Sequence, residues 1–352
     1  MSKFLKPELQ KSESYIPGEQ PQDKKYIKLN TNESPFPPSK KVIGAITKNE
    51  ISDLRLYCDP ECKKLKKAMA NLYNIESENV FLSNGSDDIL NFAFMAYSKN
   101  GACFADITYG FYSVFAELYG VETQIIPLKK DFTLDTDAFC GQNKLVVIAN
   151  PNAPTGLEIS LLEIEKILKA NPDNIVLIDE AYVDFGGTSA IPLTKKYKNL
   201  LCVGTFSKSR SLAGARLGFA IADREIISDL EKIKYSTNPY NINRLTQIAG
   251  EISVKENDYY RENCKLIIKN REYTENALKA LGFNVLSSKA NFLFAESDKI
   301  SGEELYLKLK DKGVLIRHFK NERIKNFNRI TIGSRKEMEI FIEKVKEILR
   351  GE

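Results

Sequence analysis

Four short stretches of this 352-residue chain carry side chains suited to polar chemistry. In Thr205-Phe206-Ser207-Lys208 a lysine follows an apolar run. Held near a sheet, such a lysine is partly desolvated, which favours its neutral, nucleophilic form. Arg216 follows eight residues later. Ile178-Asp179-Glu180-Ala181-Tyr182 ends an apolar run in a carboxylate, whose burial is costly unless a cation such as a protonated pyridine nitrogen lies beside it. Ser83-Asn84-Gly85-Ser86-Asp87-Asp88 is a glycine turn that opens a helix, and the free N–H groups there, with Ser86 as a donor, can cradle a phosphate. In Asn150-Pro151-Asn152-Ala153-Pro154-Thr155-Gly156 the prolines stiffen a turn that can aim an amide. Singly, a helix cap, a plain turn, an internal ion pair and a solvated lysine account for each of them.

The elements that must position these residues follow from hydrophobic periodicity. From about residue 80, short apolar or β-branched runs alternate with longer amphipathic ones, the pattern of an α/β sheet. The expected strands are Val80–Ser83, Ala102–Ala105, Thr123–Pro127, Leu145–Ala149, Ile175–Asp179, Leu201–Thr205 and Leu217–Ala220. Between them, Asp87–Tyr97, Gly110–Tyr119 and Ser160–Ala170 space their apolar residues by three or four, so helices should cover both faces. About a dozen residues with no long apolar stripe separate the last two strands, so the last is expected to run antiparallel. After Tyr240 come charged helices, Asn243–Ile252 and Tyr259–Leu281, then short strands and the helices Gly302–Lys312 and Lys336–Arg350. The reading is an α/β fold: a large domain with a mostly parallel seven-stranded sheet, plus a smaller α+β domain. Its boundaries are an amino-terminal arm over 1–35, a large domain over 36–240, and an interdomain helix with the small domain over 241–352. Ser34-Pro35-Phe36-Pro37-Pro38 cannot be helical and carries the arm across the junction.

In open α/β sheets, ligands bind beyond the carboxyl ends of strands, and the chemical residues above fall at successive strand ends. An anion site, a pyridinium partner and a Schiff-base lysine together are what pyridoxal 5′-phosphate (PLP) demands, so PLP is the expected cofactor. Composition narrows the rest. With 51 basic and 47 acidic residues, the charge is too balanced to point to nucleic acid. No apolar run suggests a secretion signal or a membrane span, so a cytoplasmic location is expected. Six cysteines without a C-x-x-C pair read as reduced thiols, and the single histidine, His318, leaves no multi-histidine metal site. Gly214-Ala215-Arg216-Leu217-Gly218 lacks the spacing of a dinucleotide fingerprint.

The sequence also resembles the class I/II (fold-type I) aminotransferases, and within them the branch acting on histidinol phosphate. The matching stretches are 28–35 (Lys28-Leu29-Asn30-Thr31-Asn32-Glu33-Ser34-Pro35), Leu56-Tyr57-Cys58-Asp59-Pro60, Asn84–Asp87, Thr108-Tyr109-Gly110, Asn150–Gly156, Asp179–Tyr182, Ser207–Arg216, Pro239–Asn243 and Asn328–Gly333. The resemblance implies that Lys208 carries the cofactor and moves the proton, Asp179 pairs with the ring nitrogen and Tyr182 bonds the ring hydroxyl. It implies that Tyr109 stacks on the ring, that Gly85, Ser86, Ser207 and Arg216 hold the phosphate, and that Asp87 is a further cofactor-binding residue. Tyr57 would reach the cofactor of a second subunit, which implies a homodimer. For the substrate it implies Tyr15, Asn32, Tyr240, Asn241, Arg317 and Arg329. One position departs from the pattern: the asparagine expected before Pro-Thr-Gly is Ala153, with Asn152 as the substitute through a small loop shift.

The reaction that the resemblance implies interconverts histidinol phosphate and 2-oxoglutarate with imidazole acetol phosphate and glutamate. An aromatic or broad-specificity aminotransferase, a threonine-phosphate decarboxylase and an inactive PLP-binding protein stay open as alternatives.

Overall fold

The computed structural model describes residues 2, 4, 5, 9 and 15–352, and in it the apolar runs become strands. In chain order these are Ile27–Lys28 (β1), Val80–Ser83 (β2), Ala102–Ala105 (β3), Thr123–Ile126 (β4), Leu145–Ala149 (β5), Val176–Asp179 (β6), Leu200–Thr205 (β7) and Gly218–Ala222 (β8). Then come Asn284–Val285 (β9), Phe292–Glu296 (β10), Val314–Leu315 (β11), Arg317–His318 (β12) and Asn328–Thr331 (β13). Seven of them form one sheet in the order β2-β8-β7-β6-β5-β3-β4. Strands β4, β3, β5, β6 and β7 pair in parallel, and β8 runs antiparallel to both neighbours, as the short connection before it implied.

Every residue of β2, β3, β5, β6 and β7 is buried, because helices cover both faces. Successive side chains of a strand point to opposite faces, and β5 illustrates it. Leu145, Val147 and Ala149 join one core with helices Ser86–Tyr97, Phe111–Tyr119 and Arg224–Thr237. Val146 and Ile148 join another with helix Leu161–Ala170, which starts on a Ser160–Glu163 capping box.

The second sheet, β12-β13-β10-β9, is antiparallel. It shares a core with helices Asn257–Ala280, Gly302–Asp311 and Arg335–Arg350. The chain before residue 35 is tied to this unit: β1 pairs in parallel with β11, and the Thr331 N–H donates to the Leu29 carbonyl at 2.9 Å. Among the described residues no helix is long and apolar enough to cross a membrane.

Sequence periodicity overlooked helices Lys40–Ala45, Lys48–Ser52 and Arg224–Thr237. Two are too short to show a period. The third hides it because Lys234 lies on its inner face, 1% exposed, donating to the Pro60 carbonyl at 2.7 Å and to Glu231 at 3.1 Å. The strand expected at Leu217–Ala220 is displaced to Gly218–Ala222, where Gly218 lets β8 approach the turn after β2. A Cβ there would lie 2.3 Å from the Ser86 nitrogen.

Candidate active site

The carboxyl ends of the parallel strands open into a cavity of about 800 Å³, walled on the other side by the amino-terminal arm and the small sheet. Asp179, Lys208, Tyr182, Tyr109, Arg216 and Arg329 all line it.

Lys208 stands three residues past β7, on a turn held by the Ser207 N–H to Thr205 Oγ1 bond at 3.1 Å and the Phe206 N–H to Leu217 carbonyl bond at 2.9 Å. Its Nζ donates to the Thr31 carbonyl at 3.2 Å. Burial, helped by the Arg329 guanidinium, lowers its pKa to about 8. Asp179 closes β6 and is buried, which pushes its pKa up to about 6. Two bonds oppose that push by favouring the charged form: Tyr112 Oη donates to Oδ2 at 2.8 Å and the Ala181 N–H to Oδ1 at 3.2 Å. A neutralisable lysine and a carboxylate kept near its ionised form thus share one cavity.

At the turn after β2, Gly85 has φ +89, and a Cβ there would meet Arg216 Nη2 at 2.7 Å. The Arg216 guanidinium therefore lies against the start of the Ser86–Tyr97 helix, where free N–H groups favour an anion. It binds Asp87 Oδ2 at 2.9 Å, and Tyr109 Oη donates to Asp87 Oδ1 at 2.9 Å. Ser86 and Ser207 line the same end of the cavity. Tyr109 meets Tyr112 edge-on at 5.7 Å between ring centroids.

Arg329 projects from β13. Its Nη2 donates to the Asn30 carbonyl at 2.9 Å, and its buried Nε has no partner. Its guanidinium lies 5.4 Å from the Phe292 ring centroid and 5.9 Å from that of Phe319. Arg317 binds the carbonyls of Pro17 and Ile16 at 3.3 and 3.2 Å, and Tyr15 stacks on Phe111 at 4.2 Å. Two arginines and a phenol therefore converge where the arm crosses the cavity mouth. Asn32 is deeper, with its Nδ2 donating to Tyr182 Oη at 3.0 Å.

Other expected residues lie elsewhere. Asn152 does not shift into Ala153's place: its amide donates to the Ile107 carbonyl at 3.0 Å and to Thr155 at 3.1 Å, and accepts from Thr108 at 2.8 Å. With its amide engaged between its own loop and the turn after β3, it does not face the cavity, and the Ala153 methyl lines the wall instead. Asn241 donates to Ser83 Oγ at 2.8 Å outside the cavity lining. Tyr57 and Tyr240 also lie outside it, stacked on each other at 4.5 Å, with Tyr57 81% exposed.

Sequence reasoning missed Tyr112, Thr331 and Asn291. Tyr112 sits three residues after Tyr109 on an expected helix, and only its full burial beside Asp179 marks it as polar machinery. Nothing in the spacing around Asn291 signals its contact with residue 32.

The pattern of the family "Aminotransferase class I and II" matches residues 24–345. Histidinol-phosphate aminotransferase of Brachyspira hyodysenteriae is 53% identical over 100% of both chains. That of Clostridium acetobutylicum is 49% identical over 99% of this chain and 100% of the relative. The crystal structure of histidinol-phosphate aminotransferase from Sinorhizobium meliloti in complex with pyridoxal-5′-phosphate superposes with a TM-score of 0.89 at 23% identity, covering 100% of this chain and 99% of that one.

Proposed function

This chain belongs to the class I and II aminotransferase family, and on that premise we propose that it is a PLP-dependent transaminase interconverting histidinol phosphate and 2-oxoglutarate with imidazole acetol phosphate and glutamate. One observation carries the reading: Lys208, Asp179 and an arginine with a buried, unpartnered Nε, Arg329, all face one cavity.

The donor set fits PLP. Asp179 is a buried carboxylate suited to a pyridinium nitrogen, and Arg216, beside the helix start at Ser86, already binds one anion, the Asp87 carboxylate. When bound, PLP supplies an electron sink that weakens the Cα–H bond of an amino substrate. Asp179 would hold the ring nitrogen and keep it protonated by ion pairing. Lys208, buried and held toward its neutral form, would be the group that moves the proton between the substrate Cα and the cofactor carbon that carries the amino group. Tyr182 donates to the ring oxygen, and Tyr109 supplies an aromatic face.

Histidinol phosphate lacks an α-carboxylate, so one basic pocket must accept a phosphate in one half-reaction and a carboxylate in the other. Arg329 can grip either with two parallel N–H bonds, with Arg317 and Tyr15 beside it. The purified protein should form glutamate from histidinol phosphate and 2-oxoglutarate. Carbon dioxide released from threonine phosphate, without glutamate formation, would refute the assignment.

We read the working unit as a homodimer in which Tyr57 serves the second subunit's cofactor, with Tyr240 and Asn241 near that junction. Exposed Ile43, Ile51, Leu54 and Leu56 accompany Tyr57 along one segment, which suits a covered surface. Mixing inactive Y57F and K208A homodimers should restore part of the activity through hybrids carrying one intact site; no recovery would refute shared sites. The division into an arm (1–35), a cofactor domain (36–240) and a small domain (241–352), and a cytoplasmic location, belong to the same reading.

A further inference from the structure

Ala153 stands where the family resemblance implied an asparagine, and its methyl is buried with Ala290 and Phe292 against Tyr182. A methyl makes no hydrogen bond. On the reading above, Tyr182 must then serve the cofactor's ring oxygen without that partner, and the direction of its hydroxyl proton becomes decisive.

The contacts behind Tyr182 settle that direction. The Asn32 backbone N–H donates to Thr331 Oγ1 at 2.9 Å. A backbone amide can only donate, so the Thr331 hydroxyl accepts there and must place its own proton elsewhere. Asn32 Oδ1 lies 2.9 Å away and takes it. The amide is thereby oriented, with its NH₂ group 3.0 Å from Tyr182 Oη. Tyr182 accepts at that point, so its own proton is turned away from Asn32.

Asn32 has little freedom to do otherwise. It is 1% exposed, its φ is +55, and its carbonyl accepts from Asn291 Nδ2 at 3.0 Å. The bonds run one way, from Thr331 through Asn32 to Tyr182.

We propose that Thr331 and Asn32 are positioning residues forming a one-way hydrogen-bond relay that aims the Tyr182 hydroxyl as a donor at the PLP ring oxygen, the task Ala153 leaves uncovered. This rests on the proposed PLP chemistry and reassigns Asn32 from substrate contact to support of Tyr182. The relay reaches the site from the small sheet and the arm, so β13 supplies both the anion-binding Arg329 and the residue that polarises Tyr182.

The test is a pH titration of the visible absorbance of the PLP-loaded protein, with no substrate present. A hydrogen bond donated to the ring oxygen favours its anionic form and holds the titration midpoint down. Thr331→Val keeps the shape and removes the hydroxyl, freeing the amide to turn its carbonyl toward Tyr182. The midpoint should rise by about one pH unit, a tenfold change in proton affinity. Thr331→Ser should keep the wild-type midpoint. Tyr182→Phe should raise it as well, and the double variant with Thr331→Val should match Tyr182→Phe alone. The other charged or titratable groups around Tyr182, namely Arg329, Asp179, Asp87, Lys208 and Tyr15, are the same in all these proteins.

A PLP-loaded Thr331→Val protein with the wild-type midpoint, or a shift that adds in full to that of Tyr182→Phe, would overturn the relay while leaving the proposed function intact. If Thr331→Val does not fold, Asn32→Gly, which suits the positive φ, is read in the same way. A wild-type protein that forms no visible band with PLP would overturn both.

Discussion

Replacing Tyr112 by phenylalanine removes one oxygen from the fully buried wall behind Asp179. The carboxylate then keeps only the Ala181 N–H, at 3.2 Å. A hydrogen bond to a charged group contributes about 1.5–3 kcal/mol, and one pKa unit corresponds to about 1.4 kcal/mol. The Asp179 pKa, about 6 in the cofactor-free protein, should therefore climb by roughly one to two units in Y112F. The sign for stability follows from linkage. A pKa raised on folding stabilises the protein below the unfolded value of 3.8, and that contribution is lost as pH rises through the folded value. Wild type completes the loss near pH 6, whereas Y112F continues to lose stability up to about pH 8. Urea unfolding of the cofactor-free proteins should thus show a Y112F deficit about 1.5–3 kcal/mol larger at pH 8.5 than at pH 5. A deficit that is constant with pH would refute the claim that Tyr112 holds Asp179 toward its ionised form. The same change should slow turnover by about tenfold for each 1.4 kcal/mol that reaches the transition state.

K208A should form no Schiff base with PLP, should take no borohydride label on the chain, and should lose activity by about 10²–10⁴-fold or more in the glutamate assay. The rate of PLP uptake by cofactor-free protein, followed by stopped-flow absorbance, should rise about tenfold per pH unit until about pH 8 and then level off, because only neutral Lys208 attacks. A midpoint near that of an ordinary lysine would contradict the burial argument. R329Q should raise KM for both histidinol phosphate and 2-oxoglutarate by about tenfold or more, since each anion loses a charge-assisted bond; an effect on one substrate alone would argue for separate anion sites. Phe294 is fully buried and stacked on Phe327 at 4.6 Å, so F294A should cost about 3–5 kcal/mol in denaturant unfolding without altering the visible band.

Much of the scaffold was legible because buried parallel strands read as continuous apolar runs. β2, β3 and β5 begin and end where the composition says they should, and β6 and β7 differ by one residue at the start. Lys208 and Asp179 were legible for a related reason: each alone reads as a solvated lysine or an ion pair, but they fall together just past the carboxyl ends of neighbouring runs, with Arg216 two residues before the next strand. Arg224–Thr237 was not legible, since its inward Lys234 breaks the apolar stripe and is tolerated only through Glu231 and the Pro60 carbonyl, partners that periodicity cannot register.

The amino-acid order alone determined the α/β architecture and the strand-end placement of the reactive groups, because each depends on residue type and local spacing, and through the family resemblance it marked the gap at Ala153. Only the tertiary structure decided how that gap is handled. Asn152, the near neighbour in sequence, is engaged by Ile107 and Thr108 in the turn after β3, whereas Asn32 is oriented by Thr331, 299 residues away in the chain. Which way an amide points is set by the donors and acceptors that surround it, and those come together only when the arm, β13 and the cofactor-facing sheet are packed.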